Sequence, residues 1–308
     1  MRIAVMGSGG VGGYFGARFA LAGFEVRFVA RGAHLAAIRE NGLRVESALG
    51  DMHVASPQVT DDPRAAGPAD IVLLGVKLWD TESAARALAP LVGPATAVVS
   101  FQNGVQKDEV LSRVLGHKSV MGGACYVAAT IASPGVIRHL GTMQKLVFGE
   151  HDGSRSARAQ AFLQACRDAG IDAEISDDIR RTIWEKFVFL VGLSGTTAAA
   201  RQPIGAIRSN PQTRALLLDA MREAVSVGRA QGVGLAGDFA EERLAFCDSL
   251  PADMTSSMHN DLERGNRLEV QWLSGDVVAR GRAAAIPTPV NRTIHDVLAL
   301  YANGTPGR

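Results

Sequence analysis

The stretch Ile3-Ala4-Val5-Met6-Gly7-Ser8-Gly9-Gly10-Val11-Gly12-Gly13-Tyr14-Phe15-Gly16 joins an apolar run, a glycine cluster and a second run rich in small residues. Residues 3–6 read as a short buried strand and residues 11–22 as a helix. The turn between them matches G-x-G-x-x-G at Gly7, Gly9 and Gly12. In that pattern one glycine makes a tight turn, a second lets the backbone approach a pyrophosphate, and a third lets helix and strand pack closely. The helix N-terminus then presents N–H groups to phosphate oxygens. Gly7, Ser8, Gly9, Gly10, Val11 and Gly12 are therefore the expected dinucleotide cradle. The competing reading is a merely flexible glycine turn; a place between strand and helix argues against it.

The same alternation continues. Residues 26–29, 70–76 and 97–101 read as strands, and 32–41, 81–91 and 108–115 as helices. The strand at 70–76 is apolar on both faces, as a central parallel strand should be. Repeated strand–helix units predict a parallel sheet covered by helices on both sides. Between 120 and 149 the rhythm changes: glycine-rich turns separate the runs 136–139 and 145–148, read as further strands extending the sheet. From about residue 176 onward the period is helical. Asp177-Asp178 can cap a helix over 180–200, and 211–231, 239–247, 257–263, 270–282 and 290–301 follow. The expected architecture is an α/β Rossmann-type dinucleotide-binding domain, residues 1–176, followed by an all-α domain, residues 177–308. Residues 304–308 read as a loose tail.

Arg31 stands just past the second strand, where an acidic residue would accept the ribose 2′-hydroxyl of NAD. A guanidinium there suits a 2′-phosphate, so NADP(H) is the expected cofactor. An ordinary surface arginine is the plainer alternative. Lys77 and Asn103-Gly104 follow strand ends on the ligand-binding edge of an open α/β sheet. A solvated charge and a simple Asn-Gly turn are their bland readings.

Composition narrows the classes. The chain has 308 residues, which suggests about two domains. Its 32 basic against 31 acidic residues leave a formal charge of +1, not the surplus of a nucleic-acid binder. Aromatics at 6% argue against stacking platforms for single strands. Hydrophobic residues at 47% suffice for two cores. Glycine cuts the N-terminal apolar run, so it does not read as a signal peptide, and no run has the length of a membrane helix. Cys125, Cys166 and Cys247 lack metal spacing and make no disulfide framework, which points to a reduced, cytoplasmic compartment.

In the helical half, Lys186 heads the apolar segment 182–194, beside Glu185. Burial lowers a lysine's pKa, and a lysine so tuned can deliver a proton near neutral pH. Snorkelling to water from a helix edge is the alternative. Opening the helical domain, the lysine is placed to face an interdomain cleft, a common ligand site. Leu190 and Ser194 share its helix face. Further on, Ser257 can bind a carboxylate, and Glu269 can accept from hydroxyls or hold Lys186. Ser256 and Ser257 equally fit a helix N-cap. His259 lacks the companions of a metal ligand, and no metal is expected.

Taken together, these landmarks resemble the ketopantoate reductase (2-dehydropantoate 2-reductase) family along nearly the whole chain. The resemblance rests on Gly7 to Gly12, Arg31, Lys77, Asn103-Gly104 and Trp184-Glu185-Lys186. It continues through Ser256-Ser257-Met258-x-x-Asp261, Arg267-x-Glu269 and Ile286-Pro287-Thr288-Pro289-Val290-Asn291. It implies NADPH-dependent reduction of 2-dehydropantoate to (R)-pantoate, on the route to pantothenate and coenzyme A. It further implies Lys186 as proton donor, with Glu269 near cofactor and substrate. Ser257 would contact the substrate, and Asn103 and Ala128 the cofactor. The chain departs from the family pattern where asparagines are expected: Leu190, Ser194 and Ile204 stand there instead. Losing such amides removes hydrogen bonds to substrate oxygens. A reductase of a more apolar 2-oxo acid or ketone is therefore the alternative, and a non-catalytic NADPH-binding sensor the alternative of another class. Homodimerisation through the helical domain stays open.

Overall fold

The computed structural model describes residues 1–305, which divide into two compact units, Met1–Thr182 and a second that begins at Ile183. The first unit runs β1 (Arg2–Met6), α1 (Gly10–Leu21), β2 (Glu25–Val29), α2 (Gly32–Asn41), β3 (Leu43–Ser47), β4 (Met52–Val54), β5 (Gln58–Thr60) and β6 (Ile71–Leu74). It continues with α3 (Thr81–Leu88), β7 (Ala97–Ser100), α4 (Lys107–Leu115), β8 (Val120–Ser133), β9 (Val136–Gly149), α5 (Ala157–Asp168) and β10 (Asp172–Ile175). The strands form one sheet in the order β4-β3-β9-β8-β7-β6-β1-β2-β5, with β10 beside β9.

The centre of this sheet is parallel: β1 pairs in parallel with β2 and β6, and β6 with β7. Alternate residues go to two separate cores. Ile3, Val5, Ile71, Leu73 and Val99 join the cluster built around Phe15, Phe19, Phe28 and Phe162. Ala4, Met6, Val72, Leu74 and Val98 join that of Leu88 and Leu111. This two-sided burial is why these strands are continuously apolar. Each large side chain removed from water stabilises the unit by about 1.5–3 kcal/mol. β2 lies on one side of β1 and β6 on the other, so the end of β1 is the point where strand order reverses.

The sheet is mixed rather than wholly parallel. β8 and β9 form an antiparallel pair with register shifts at Val127/Ala128 and Ile131/Ser133, and β3 and β4 pair antiparallel. The runs at 136–139 and 145–148 are parts of one strand, β9, and their two ends pair with β3 and β10 respectively. The end of β9 is held by Glu150, whose carboxylate accepts from Arg158 Nε and Nη2, both at 2.7 Å, and from Ser156. Burial opposes ionisation of Glu150, but these bonds and the Arg158 charge outweigh it and hold its pKa below the usual range.

The second unit is helical: the main part of α6 (Ile179–Ala200), then α7 (Ile204–Ser209), α8 (Pro211–Ala230), α9 (Phe239–Ser249), α10 (Ser257–Glu263), α11 (Ser274–Ala283) and α12 (Pro289–Leu298). The division falls after Thr182, within α6, whereas the change of sequence rhythm lies at residues 176–177. Asp178 does cap α6, its Oδ1 accepting from the Arg181 amide at 3.0 Å. Glycines let the helices close on one another. A Cβ on Gly192 would stand 2.5 Å from Met221 Cγ of α8, and one on Gly195 3.1 Å from Ile294 Cγ2 of α12. Glu223 of α8 caps α12, accepting from the amides of Val290 and Asn291 at 2.7 and 2.9 Å.

Two further expectations are corrected. The helix expected over 270–282 is interrupted: a 3₁₀ turn, Val270–Trp272, precedes α11, and Leu273 between them leaves helical geometry at φ −107°, ψ −99°. Of the expected tail, Gly304 and Thr305 are tied in, the Thr305 amide donating to the Gly265 carbonyl at 3.1 Å, and residues 306–308 lie outside the described residues. The cysteines are free and buried; burial raises the Cys166 thiol well above its ordinary value and pushes that of Cys247 up to about 11. Neither is a ready nucleophile at neutral pH.

Candidate active site

The glycine loop follows the end of β1, and each glycine has a distinct reason. Gly7 has φ +94°, and a Cβ there would stand 2.7 Å from the Val76 amide. A Cβ on Gly12 would overlap the Gly7 carbonyl and crowd Val5, so this glycine lets α1 lie against β1. A Cβ on Gly10 would overlap the Ala129 carbonyl of β8. Gly9 differs: its nearest neighbour would be Ile131 Cδ1 at 3.9 Å, so the space beside it is open. The amides of Gly7 and Ser8 both donate to the Val29 carbonyl, at 3.2 and 3.1 Å, and the buried Ser8 hydroxyl donates there too. Gly7 and Ser8 thus fasten the loop to β2. The first-turn N–H groups of α1, at Gly10, Val11 and Gly12, lack acceptors within their own helix. An open space at Gly9 before these donors fits a pyrophosphate, and the residues present suit a dinucleotide.

The remaining sheet-side candidates line the same edge. Arg31 follows β2, Lys77 follows β6 and Asn103 follows β7, and these strands run parallel to β1. Arg31 is the N-cap of α2, its side chain 70% exposed, and Nη2 donates to Asp80 Oδ2 at 2.9 Å. Lys77 is exposed, with Nζ 5.7 Å from the Trp79 ring centroid. Asn103 is half-buried in a turn that Gly104 closes at φ +84°. Ala128 is exposed at the register shift of β8, next to the Ala129 carbonyl that covers Gly10.

Three supporting residues escaped the sequence reading. Buried Gln102 donates to the Val76 carbonyl and to Thr81 Oγ1, both at 2.9 Å, binding the loop after β7 to the loop after β6. Asp80 pairs with Arg31. His34 joins the glycine loop to the β8–β9 turn: the Gly135 amide donates to Nδ1 at 3.0 Å, which leaves Nε2 to donate to the Ser8 carbonyl at 2.8 Å. No motif marks such contacts, since partners 26 and 101 residues apart meet only in the fold. His34→Ala should weaken dinucleotide binding about tenfold, equivalent to ~1.4 kcal/mol of lost positioning, and lower the thermal midpoint. Titration and thermal melts check this; wild-type values in both would show the clamp to be idle.

In the helical unit, Lys186 is half-buried on α6, with Trp184 and Phe187 buried beside it. Leu190 is half-buried and Ser194 only 2% exposed on the following turns of that face. The two adjacent serines differ in their surroundings. Ser256 is the N-cap of α10: its Oγ accepts from the His259 amide at 3.1 Å and lies 3.1 Å from Thr197 Oγ1 of α6. His259 Nδ1 also meets the Thr197 carbonyl at 2.9 Å. Ser257 is left exposed at the start of α10. Thr197 follows Lys186 by eleven residues, about 16 Å along the helix and nearly the same face. Glu269 is buried at 8% exposure and opens the 3₁₀ turn at Val270–Trp272. Ile204 is fully buried, so this position serves the core. Among the described residues there is no cluster of three or more potential metal ligands, and no helix long and apolar enough to cross a membrane.

Comparison with known proteins shows the family. Residues 3–153 match the family described as ketopantoate reductase PanE/ApbA, and residues 178–302 its C-terminal part. The 2-dehydropantoate 2-reductase of Halobacterium salinarum is 35% identical over 303 residues, covering 97% of this chain and 98% of that protein. The chain belongs to the ketopantoate reductase family. Another relative, the 2-dehydropantoate 2-reductase of Archaeoglobus fulgidus, is 34% identical, with 98% of each chain covered. The crystal structure of a PanE/ApbA family ketopantoate reductase from Ralstonia eutropha superposes with a TM-score of 0.90 at 35% identity, covering 98% of both chains. The fold is thus that of a ketopantoate reductase, and the chain is a dinucleotide-binding oxidoreductase acting on a small 2-oxo acid. This sets aside the reading as a non-catalytic sensor.

Proposed function

We propose that the chain reduces 2-dehydropantoate to (R)-pantoate with NADPH, serving pantothenate and coenzyme A synthesis in a reducing, cytosolic compartment. The observation that carries the reading is near-full-length similarity to proteins of that name, in a chain that keeps Lys186, Ser257 and Glu269. The first-turn amides of α1 would hold the pyrophosphate, Arg31 the 2′-phosphate, and Lys77, Asn103 and Ala128 the rest of the nucleotide edge. A dihydronicotinamide held there would supply the hydride for the carbonyl carbon. Negative charge grows on the carbonyl oxygen as this happens, and the Lys186 ammonium meets it and gives up a proton. Glu269 orients that ammonium or accepts from a substrate hydroxyl. The Ser257 hydroxyl donates to the substrate carboxylate, and Asn103 adds a donor.

A second reading is favoured by one feature. Leu190 stands half-buried one turn beyond Lys186, where the family pattern has an amide, and Ser194 replaces another. A hydrocarbon there suits an apolar 2-oxo acid. NADPH consumption with 2-dehydropantoate, compared with 2-oxo acids bearing apolar side chains and repeated with NADH, separates the readings. We expect the highest kcat/KM with 2-dehydropantoate. A tenfold preference for an apolar 2-oxo acid, of order 1.4 kcal/mol, would favour the second reading. Absence of turnover with every 2-oxo acid would overturn both.

A further inference from the structure

We propose that Asp80 narrows the preference for NADPH over NADH that Arg31 sets, by neutralising Arg31 toward a 2′-phosphate and offering a carboxylate acceptor to a 2′-hydroxyl. The inference deepens the reading of Arg31 given above and rests on it. Its starting point is the ion pair between Arg31 Nη2 and Asp80 Oδ2 at 2.9 Å. The Arg31 side chain is 70% exposed and that of Asp80 33% exposed, so both reach the surface at which an adenosine ribose would arrive. The backbone beneath both residues is held in place. Asp80 ends the 3₁₀ turn Leu78–Asp80, whose amide donates to the Lys77 carbonyl at 2.9 Å. The buried Thr81 hydroxyl next to it donates to the Leu78 carbonyl at 2.7 Å and accepts from Gln102. Arg31 has its backbone at the N-cap of α2.

Charge arithmetic gives the consequence. A lone guanidinium attracts a 2′-phosphate, which carries more than one negative charge at neutral pH. With Asp80 at salt-bridge distance the local charge of the pair is zero, and a phosphate docking on the other edge of the guanidinium stands within a few ångströms of a second anion. Like charges so placed in a half-exposed setting change affinity by roughly tenfold. Lys77, at the other end of the 3₁₀ turn, adds a cation whose own ring contact is with Trp79. A ribose bearing only hydroxyls meets no such penalty, and an ionised carboxylate is the acceptor that a 2′-hydroxyl prefers. Asp80 therefore narrows the margin that Arg31 alone would give NADPH.

The test is direct binding of two fragments, adenosine 2′,5′-bisphosphate and 5′-AMP, to the intact chain and its variants by calorimetry. Asp80→Asn keeps an acceptor for Arg31 while removing the charge; Asp80→Ser serves if the first variant folds poorly. We expect the bisphosphate-to-AMP affinity ratio to rise about tenfold at low salt in either variant, and the gain to shrink as salt screens it. An unchanged or reduced ratio in a folded variant overturns the proposal. Arg31→Ala tells the two layers apart. If it collapses the ratio while Asp80→Asn leaves it alone, Asp80 is idle and Arg31 stands. If Arg31→Ala leaves the ratio at its wild-type value, the reading of Arg31 falls and takes the proposal with it.

Discussion

Lys186→Ala is expected to lower kcat by roughly 10²–10⁴-fold, the range for loss of a positioned proton donor. Binding of NADPH should stay within about threefold of wild type, because the donors proposed for the nucleotide, backbone amides of α1 and the Arg31 guanidinium after β2, lie on elements other than α6. Stability should change little. Lys186 is only half-buried, whereas the packing of its turn is carried by Trp184 and Phe187, whose rings meet edge-on at 5.4 Å. Lys186→Arg sharpens the result: it keeps the charge but holds its proton too tightly to deliver it, so it should lose most of the turnover too. Steady-state rates, single-turnover rates and nucleotide titration together check the expectation. Near-normal single turnover in Lys186→Ala would assign the proton to another group.

A contrast between two glycines has the next largest effect. Gly12→Ala places a methyl inside the Gly7 carbonyl and 2.9 Å from Val5 Cγ1, with no flexible side chain able to move aside. Overpacking of this kind costs about 1–3 kcal/mol or more, so the first unit should melt several degrees lower. Gly9→Ala meets nothing closer than 3.9 Å, and its backbone at φ −75°, ψ −155° suits alanine, so its stability should match the wild type. Its methyl would, however, point into the space assigned to the pyrophosphate. We expect a loss of dinucleotide affinity of at least roughly tenfold, ~1.4 kcal/mol, without a shift in melting. Thermal melts and calorimetric titration of both variants check the pair. Wild-type affinity in a stable Gly9→Ala protein would move the phosphate site elsewhere.

The parts of this protein that could be read without coordinates are those where one local signal dominates. The run at residues 71–74 is buried on both faces, so its composition alone declares a central strand. The glycine loop is legible because its steric demands are met by a single residue type. Other elements gave no such signal. β3 alternates as Leu43-Arg44-Val45-Glu46-Ser47, but β4 and β5 have three residues each and take their stability from neighbours distant in sequence. α7 has six residues, less than two helical turns. The break at Leu273 lies in a stretch whose apolar spacing is still helical, and only the backbone reveals it. At the site, Lys186 stands out as a charge in an apolar segment. Asp80, His34 and Gln102 matter through partners that meet in three dimensions, and sequence spacing carries no trace of that.

The division of labour between the neighbouring serines at the head of α10 bears on how this scaffold can diverge. Ser256 is committed to the backbone and to Thr197, while Ser257 faces outward with no part in the cap. On the proposed reading of Ser257 as a substrate contact, descendants can exchange this outward residue and alter substrate choice while the helix stays anchored. Retargeting at this point carries little folding risk, and engineering of new selectivity should begin there.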